Sequence, residues 1–306
     1  MASKVVVLMS TFNGEAFLRE QIASILSQTV APTLIVRDDG SDDETCAILG
    51  EQARAGRVQF FRGQTRLGAR ASFLHLIGRH TAGADYVAFA DQDDVWAPDK
   101  LERALCFLAR VPARRPALYC SRLTVTDERL VPIGMTPLWP RAPAFGNALV
   151  ENIVSGCTCV LNAAAAAVLR NGPAPRHARF HDWWCYLVIS ALGDVIYDSA
   201  PTLLYRQHRN NVVGIARSAW RRGLRRLSRQ LHEDPLAIIL RQARDFARCH
   251  GAALAGPHAD TLHALTEAGS RPGWRRRLVL DTRIFRQHAI DDLLLRLRFA
   301  AAPWPA

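Results

Sequence analysis

Between residues 4 and 125, five short apolar runs alternate with four segments whose apolar residues recur at helical spacing. No other feature of the chain constrains its fold as tightly. The runs cover residues 4–8, 34–37, 58–61, 86–90 and 118–125. The intervening segments cover 17–26, 42–53, 71–79 and 98–111, the last opening on Pro98, a residue favoured at the first helical position. The first run, Lys4 to Leu8, is continuously apolar after its lysine. That pattern suits a strand buried on both faces rather than one with a solvated side. Strand and helix in regular alternation predict an α/β fold with a mostly parallel central sheet flanked by helices.

Beyond this frame the character changes. Residues 131–147 are proline-rich and aperiodic, which predicts a long surface loop near a site. The alanine run Ala163 to Ala167 reads as helix. After Gly214 the chain turns arginine-rich, with Arg217, Arg221, Arg222, Arg225, Arg226 and Arg229, and later Arg275, Arg276, Arg277, Arg283, Arg286, Arg296 and Arg298. A boundary near Arg217 therefore divides a domain of residues 1–216 from a helical extension of residues 217–306. The 39 basic and 28 acidic residues leave a net charge of +11, which favours anionic partners.

The seven cysteines are odd in number, form no C-x-x-C pair and sit among apolar neighbours, so they read as reduced thiols of an intracellular protein. No apolar stretch reaches the roughly 20 residues of a membrane helix, and the N-terminus has no secretory apolar region. A cytoplasmic location is expected, with any membrane contact peripheral, at the inner face of the cell membrane.

Three polar clusters follow the apolar runs. Asp91-Gln92-Asp93-Asp94 stands directly after residues 86–90, and carboxylates so crowded repel one another unless a cation joins them. Oxygen ligands at the carboxyl edge of a parallel sheet favour Mg²⁺ or Mn²⁺ together with a substrate diphosphate. By itself the run is equally an acidic turn before a helix. Arg37-Asp38-Asp39-Gly40-Ser41 offers, in Asp39, an acceptor for a nucleobase N–H. Ser10-Thr11-Phe12-Asn13-Gly14 offers hydroxyls and an aromatic face on which a nucleoside could stack. Ends of adjacent parallel strands open on one side of a sheet, so the three clusters are expected to share a crevice. The first strand-to-helix turn, Ser10 to Gly14, lacks the glycine patterns of dinucleotide-binding and P-loop proteins, which excludes both classes.

The stretches VVVLMSTFNGEAFLREQIASILSQT, RDDGSDDET and FADQDDVW resemble family 2 of the glycosyltransferases, which has the GT-A fold. SGCTCVLN, HDWW and YRQHRNNVVG resemble a bacterial rhamnosyltransferase-like branch, and the likeness runs from residue 4 to about 214. The resemblance implies that Ser10, Thr11, Phe12, Asp39, Gly68, Asp91 and His208 contact the nucleotide sugar. It further implies that Asp91 and Asp93 hold the metal, that Asp182 is the catalytic base, and that Trp183 and Trp184 wall the acceptor pocket. A Gly-x-x-x-Asn element of the family stands here as Gly68 to Ser72, without the asparagine. On the residues alone, Asp182 could equally cap a helix whose aromatic residues belong to a core.

The implied function is transfer of one sugar, L-rhamnose being the sugar of that branch, from a dTDP- or UDP-sugar to a glycan or lipid-linked acceptor in polysaccharide synthesis. The Q-x-x-R-W element of processive synthases is missing. On this reading no nucleic-acid partner is expected. A rival reading makes the chain a nucleic-acid-binding protein whose arginine-rich helices follow phosphate backbones, and it leaves the carboxylates unexplained. The apolar positions Trp220, Leu224, Leu227 and Leu231 offer a face for an anionic membrane.

Overall fold

The structure is a computed structural model that describes residues 3–209, 234–268 and 272–301. The arginines at 217–229, the apolar positions from Trp220 to Leu231 and the expected boundary near residue 217 lie outside the described residues.

The apolar runs form strands where their patterning predicts. They are β1 (Val5–Thr11), β2 (Thr33–Asp38), β3 (Val58–Arg62), β4 (Tyr86–Ala90) and β6 (Ala117–Thr126). Helices α1 (Leu18–Leu26), α2 (Thr45–Arg54), α3 (Ala69–His80) and α4 (Lys100–Leu108) separate them. Val7, Leu8 and Met9 are fully buried, as a strand covered on both faces requires, and Leu18, Ile22 and Ile25 turn one side of α1 into the same core.

The sheet has the order β3-β2-β1-β4-β8-β6-β9-β5, with β7 (Pro132–Met135) added beside β6. Its first half is parallel, as expected. The second half corrects that expectation. β8 (Val160–Asn162) is a buried three-residue strand running antiparallel to both β4 and β6, and β5 (Val95–Trp96) runs antiparallel to β9 (Asp194–Arg206). β9 pairs parallel with β6 through register shifts around Arg122. Strands of two or three residues carry no measurable period. β9 also holds Asp198 and Pro201, which break the apolar alternation that marks a strand. The loop expected at 131–147 thus contains β7 and the short helix α5 (Phe145–Ala148). The alanine run lies in α6 (Ala163–Asn171).

By compactness the chain groups into two units. One unit comprises residues 1–138, 154–171 and 193–215; the other comprises 139–153, 172–192 and 216–306. In the second unit, α7 (His181–Leu192) buries Trp184 to Ile189 without a break, so it needs cover on nearly every side. Its companions are α8 (Pro235–His250), α9 (Gly256–Glu267), α10 (Pro272–Leu280) and α11 (Ala289–Ala301). Phe145, Trp184 and Phe246 form the aromatic centre of this unit, with Phe145 and Phe246 ring centroids 5.4 Å apart. Among the described residues no helix is long and apolar enough to cross a membrane. All seven cysteines are thiols outside any disulfide. Four are buried, Cys46 and Cys249 are half-buried, and Cys106 is exposed.

Candidate active site

At the carboxyl ends of β1, β2 and β4 the polar clusters are knitted together by hydrogen bonds. Gln92, in the middle of the acidic run, accepts from Phe12 N at 2.8 Å and donates to Phe12 O at 3.0 Å, tying the β4 loop to the end of β1. A Cβ on Gly14 would lie 2.4 Å from the Gln92 amide oxygen, so this clamp needs glycine there. Asn13 adopts a left-handed conformation (φ 47°), and its amide donates to Ser41 Oγ at 2.9 Å. Ser10 donates to Ser72 Oγ and Thr11 to Asp38, so the two hydroxyls expected at the donor also organise the crevice itself.

Asp38 and Asp39 are both buried. Burial alone would push the Asp38 carboxyl up, but hydrogen bonds from Ser41, Cys46 and Gly40 outweigh it and hold the group below its ordinary value. Asp39 accepts from Leu67 N at 2.7 Å, Gly68 N at 2.6 Å and the Arg37 guanidinium at 2.5 Å. A carboxylate offers about four acceptor positions, so three are committed and roughly one is left for a nucleobase. Arg37 also donates to Thr65 O, fixing the same loop. Gly68 reaches Asp39 with its backbone at φ 76°. The expected stacking face of Phe12 carries the Arg66 guanidinium, 3.7 Å from the ring centroid.

The acidic run splits into two groups. Asp93 Oδ2 lies 2.7 Å from His208 Nε2, so two residues expected at the donor phosphates meet directly. Asp91 joins instead with Asp94 and Cys157, whose potential ligand atoms lie within 4.8 Å of one another. Asp94 is fully buried, and burial, Asp93 and Asp91 together drive its carboxyl well above the usual range. Its Oδ2 has no hydrogen-bond partner among the described residues. Carboxyl groups are thus crowded here so closely that the buried one resists ionisation. That condition fits a divalent cation, and the oxygen and imidazole donors suit Mn²⁺ or Mg²⁺.

Arg206 at the end of β9 braces this loop. Its backbone N–H donates to Asp94, and its guanidinium donates to the Asp93 and Glu128 carbonyls and pairs with Glu20. The Arg206 guanidinium also lies 4.5 Å over the Phe17 ring, whose centroid is 5.0 Å from that of His208, with the two rings tilted by 41°. By type alone Arg206 and Glu20 carry no signal in the sequence, whereas Gln92 and Asp94 stand within the acidic run already marked there. Only the D-x-D-D spacing and the YRQH motif marked their neighbourhood.

Asp182 belongs to the other unit. It stands in the first turn of α7, where the N–H groups lack helical partners, and accepts from Trp183 N at 2.6 Å. His181 beside it reaches the surface in part, but its imidazole is enclosed, and burial pushes its pKa down to about 3, so it is neutral near pH 7. Trp184 corrects an expectation. It is 2% exposed and packs on Phe246 and His250, because successive helix positions turn by about 100° and this one faces the core. Trp183 is half-buried, its indole N–H held by Ala148 O at 2.7 Å.

The sequence model of Glycosyl transferase family 2 matches residues 6–129, the stretch that supplies every polar cluster on β1, β2 and β4. Residues 6–129 belong to that family. This glycosyltransferase is 28% identical over 226 residues to a dTDP-rhamnosyl transferase of Shigella flexneri, covering 67% of this chain and 73% of the relative. It superposes on Staphylococcus aureus TarS residues 1–349 in complex with UDP, with TM-score 0.58 and 16% identity, covering 88% of this chain and 72% of the other. A mannosyltransferase of Pyrobaculum calidifontis, in complex with GDP-Man and Mn²⁺, superposes with TM-score 0.50 and 18% identity over 97% and 88% of the chains. These likenesses give the glycosyltransferase the GT-A fold. The nucleic-acid alternative accounts for none of the carboxylates and gives way to the family match.

Proposed function

We propose that this glycosyltransferase is metal-dependent, inverting and non-processive, moving one sugar from a dTDP- or UDP-linked donor to a hydroxyl of a glycan or lipid-linked acceptor in cell-surface polysaccharide synthesis. The observation that carries the reading is the acidic loop after β4, where the carboxyl groups of Asp91, Asp93 and Asp94 crowd together and Asp93 meets His208. The Shigella relative's name supports dTDP-L-rhamnose as donor, and the Mn²⁺ in the Pyrobaculum complex supports a divalent metal.

Asp91, Asp93 and His208 would hold the cation, which when bound neutralises the charge gathering on the departing diphosphate. Asp39 and the loop it orders would receive the base, and Phe12 would stack on it if Arg66 swings aside. Asp182 takes the proton from the acceptor hydroxyl as its oxygen attacks the anomeric carbon and the bond to the diphosphate breaks, so no covalent intermediate forms. The same reading puts the enzyme in the cytoplasm, peripheral to the inner face of the cell membrane.

Thermal unfolding against a panel of sugar nucleotides tests the donor site. A cognate donor at 100 times its Kd stabilises the folded chain by about 2.7 kcal/mol. The shift is expected with Mn²⁺ or Mg²⁺, to vanish with EDTA, and to be lost in Asp93→Ala. A donor shift indifferent to EDTA would remove the metal from the reading. For the base, Asp182→Asn is expected to lower turnover roughly 10²- to 10⁴-fold while donor affinity holds. Turnover close to wild type would take Asp182 out of that role.

A further inference from the structure

Helix α11 has two apolar sides. Leu295 and Phe299 are buried, turned into the second unit, while Ile290, Leu293, Leu294 and Leu297 are exposed, at 72%, 58%, 43% and 55%. These four recur at i, i+3, i+4 and i+7, so they form one stripe along the helix, opposite the packed side. Leu280, at the end of α10, is also exposed, at 66%. A solvated helix carries charges on that side. Isolated exposed leucines are ordinary, but a contiguous stripe marks a binding surface.

We propose that this stripe rests on an anionic lipid surface, with the aliphatic side chains in the headgroup boundary and the flanking arginines on lipid phosphates. Charge complementarity selects that occupant. Between residues 272 and 301 arginines outnumber aspartates seven to three, with no glutamate or lysine. The aspartates bring little opposing charge to the surface. Asp291 is buried, Asp281 is paired with Arg283, and Asp292 with Arg296. Arg276 and Arg277 on α10 are exposed, and Arg298 lies at one margin of the stripe on the helix circumference; Arg296, at the other, is half-buried and held by Asp292 and the Ile284 carbonyl. Apolar residues on one helix face with arginine at its margins is the pattern of a helix lying in a membrane interface. A second copy of the chain fits less well. A standard interface uses roughly 20 residues a side, and two copies would bring like charge together.

The proposal stands apart from the transfer chemistry, because vesicle binding needs neither donor nor acceptor. The full-length protein is sedimented with vesicles of phosphatidylcholine containing 30% phosphatidylglycerol, and with pure phosphatidylcholine. Wild type is expected to pellet with the first and not the second. Leu293→Glu with Leu297→Glu should cut partitioning roughly tenfold or more. Arg276→Ala should cut it about fivefold, at about 1 kcal/mol per arginine. The substituted side chains are exposed, so melting temperatures should match wild type, and a variant that melts lower is replaced by Ile290→Ser with Leu297→Ser. Equal binding by wild type and the glutamate variant, or no vesicle binding at all, overturns the proposal. So does a concentration-dependent dimer that the glutamate variant abolishes, which would make the stripe a self-association surface.

Discussion

The imidazole of His181 is neutral at physiological pH because burial has moved its pKa to about 3 from an ordinary 6.5. The folded state therefore binds a proton less readily than the unfolded chain. Between pH 6.5 and 3 the unfolded state carries more protons at this position, so stability rises with pH across that window and its dependence ends above it. The slope is at most about 1.4 kcal/mol per pH unit and is reduced by the water that reaches part of the residue. His181→Gln should flatten the fall in melting temperature between pH 6.5 and pH 4, with little change at pH 8. An unchanged slope would mean that the ring is solvated and titrates normally. A neutral His181 also lends Asp182 no positive charge. If Asp182 is the base, its proton affinity comes from its own surroundings and the acceptor, not from an ion pair with its neighbour.

At the scale of elements, the loop after β4 is held from two sides. Gln92 clamps it to the end of β1, and Arg206 clamps it to the end of β9. Gly14→Ala should break the first clamp, since the new Cβ would lie 2.4 Å from the Gln92 amide oxygen. Gln92 can rotate away, so the expected cost in stability is small, within about 1 kcal/mol, whereas the metal-dependent donor shift should weaken about tenfold or more in affinity. Calorimetric titration of nucleotide in Mn²⁺ checks this, and unaltered affinity would show that the clamp does not position the loop. What was legible in the sequence follows the same elements. β1 to β4 and their helices announce themselves because strands buried on both faces must be continuously apolar, and because their polar ends stand out against that background. β5, β8 and β9 do not, since two- and three-residue strands have no period and Pro201 interrupts the longest one. The site shows the same division. Asp93 and His208 are visible as motif residues, but their meeting depends on β9, and the arginine that braces them looks in the sequence like any other of a basic chain. Trp184 was misplaced for a related reason. The spacing of HDWW does not say which way the helix turns, and the aromatic centre around Phe246 decides it.

For the molecule as a whole, the net charge of +11 and the exposed stripe on α11 act at different ranges, and salt separates them. Attraction between the positive chain and an anionic bilayer decays over a Debye length, about 10 Å at 0.1 M salt and about 3 Å at 1 M. Burial of aliphatic side chains in the headgroup boundary is not screened. Binding driven by charge alone would vanish at 1 M NaCl, whereas binding that also uses Ile290, Leu293, Leu294 and Leu297 should retain a residual fraction there. The decisive comparison is between wild type and the Leu293→Glu, Leu297→Glu variant at both salt concentrations. Wild type should keep measurable partitioning at 1 M NaCl, and the variant should lose it, even if some attraction survives at 0.1 M through the arginines. Were wild type to release completely at 1 M, the attraction would be purely electrostatic and the leucine stripe would have no part in it. Reaching the bilayer by an amphipathic surface confines the enzyme to two dimensions, which would raise its encounter rate with any lipid-linked acceptor without adding a contact at the catalytic site.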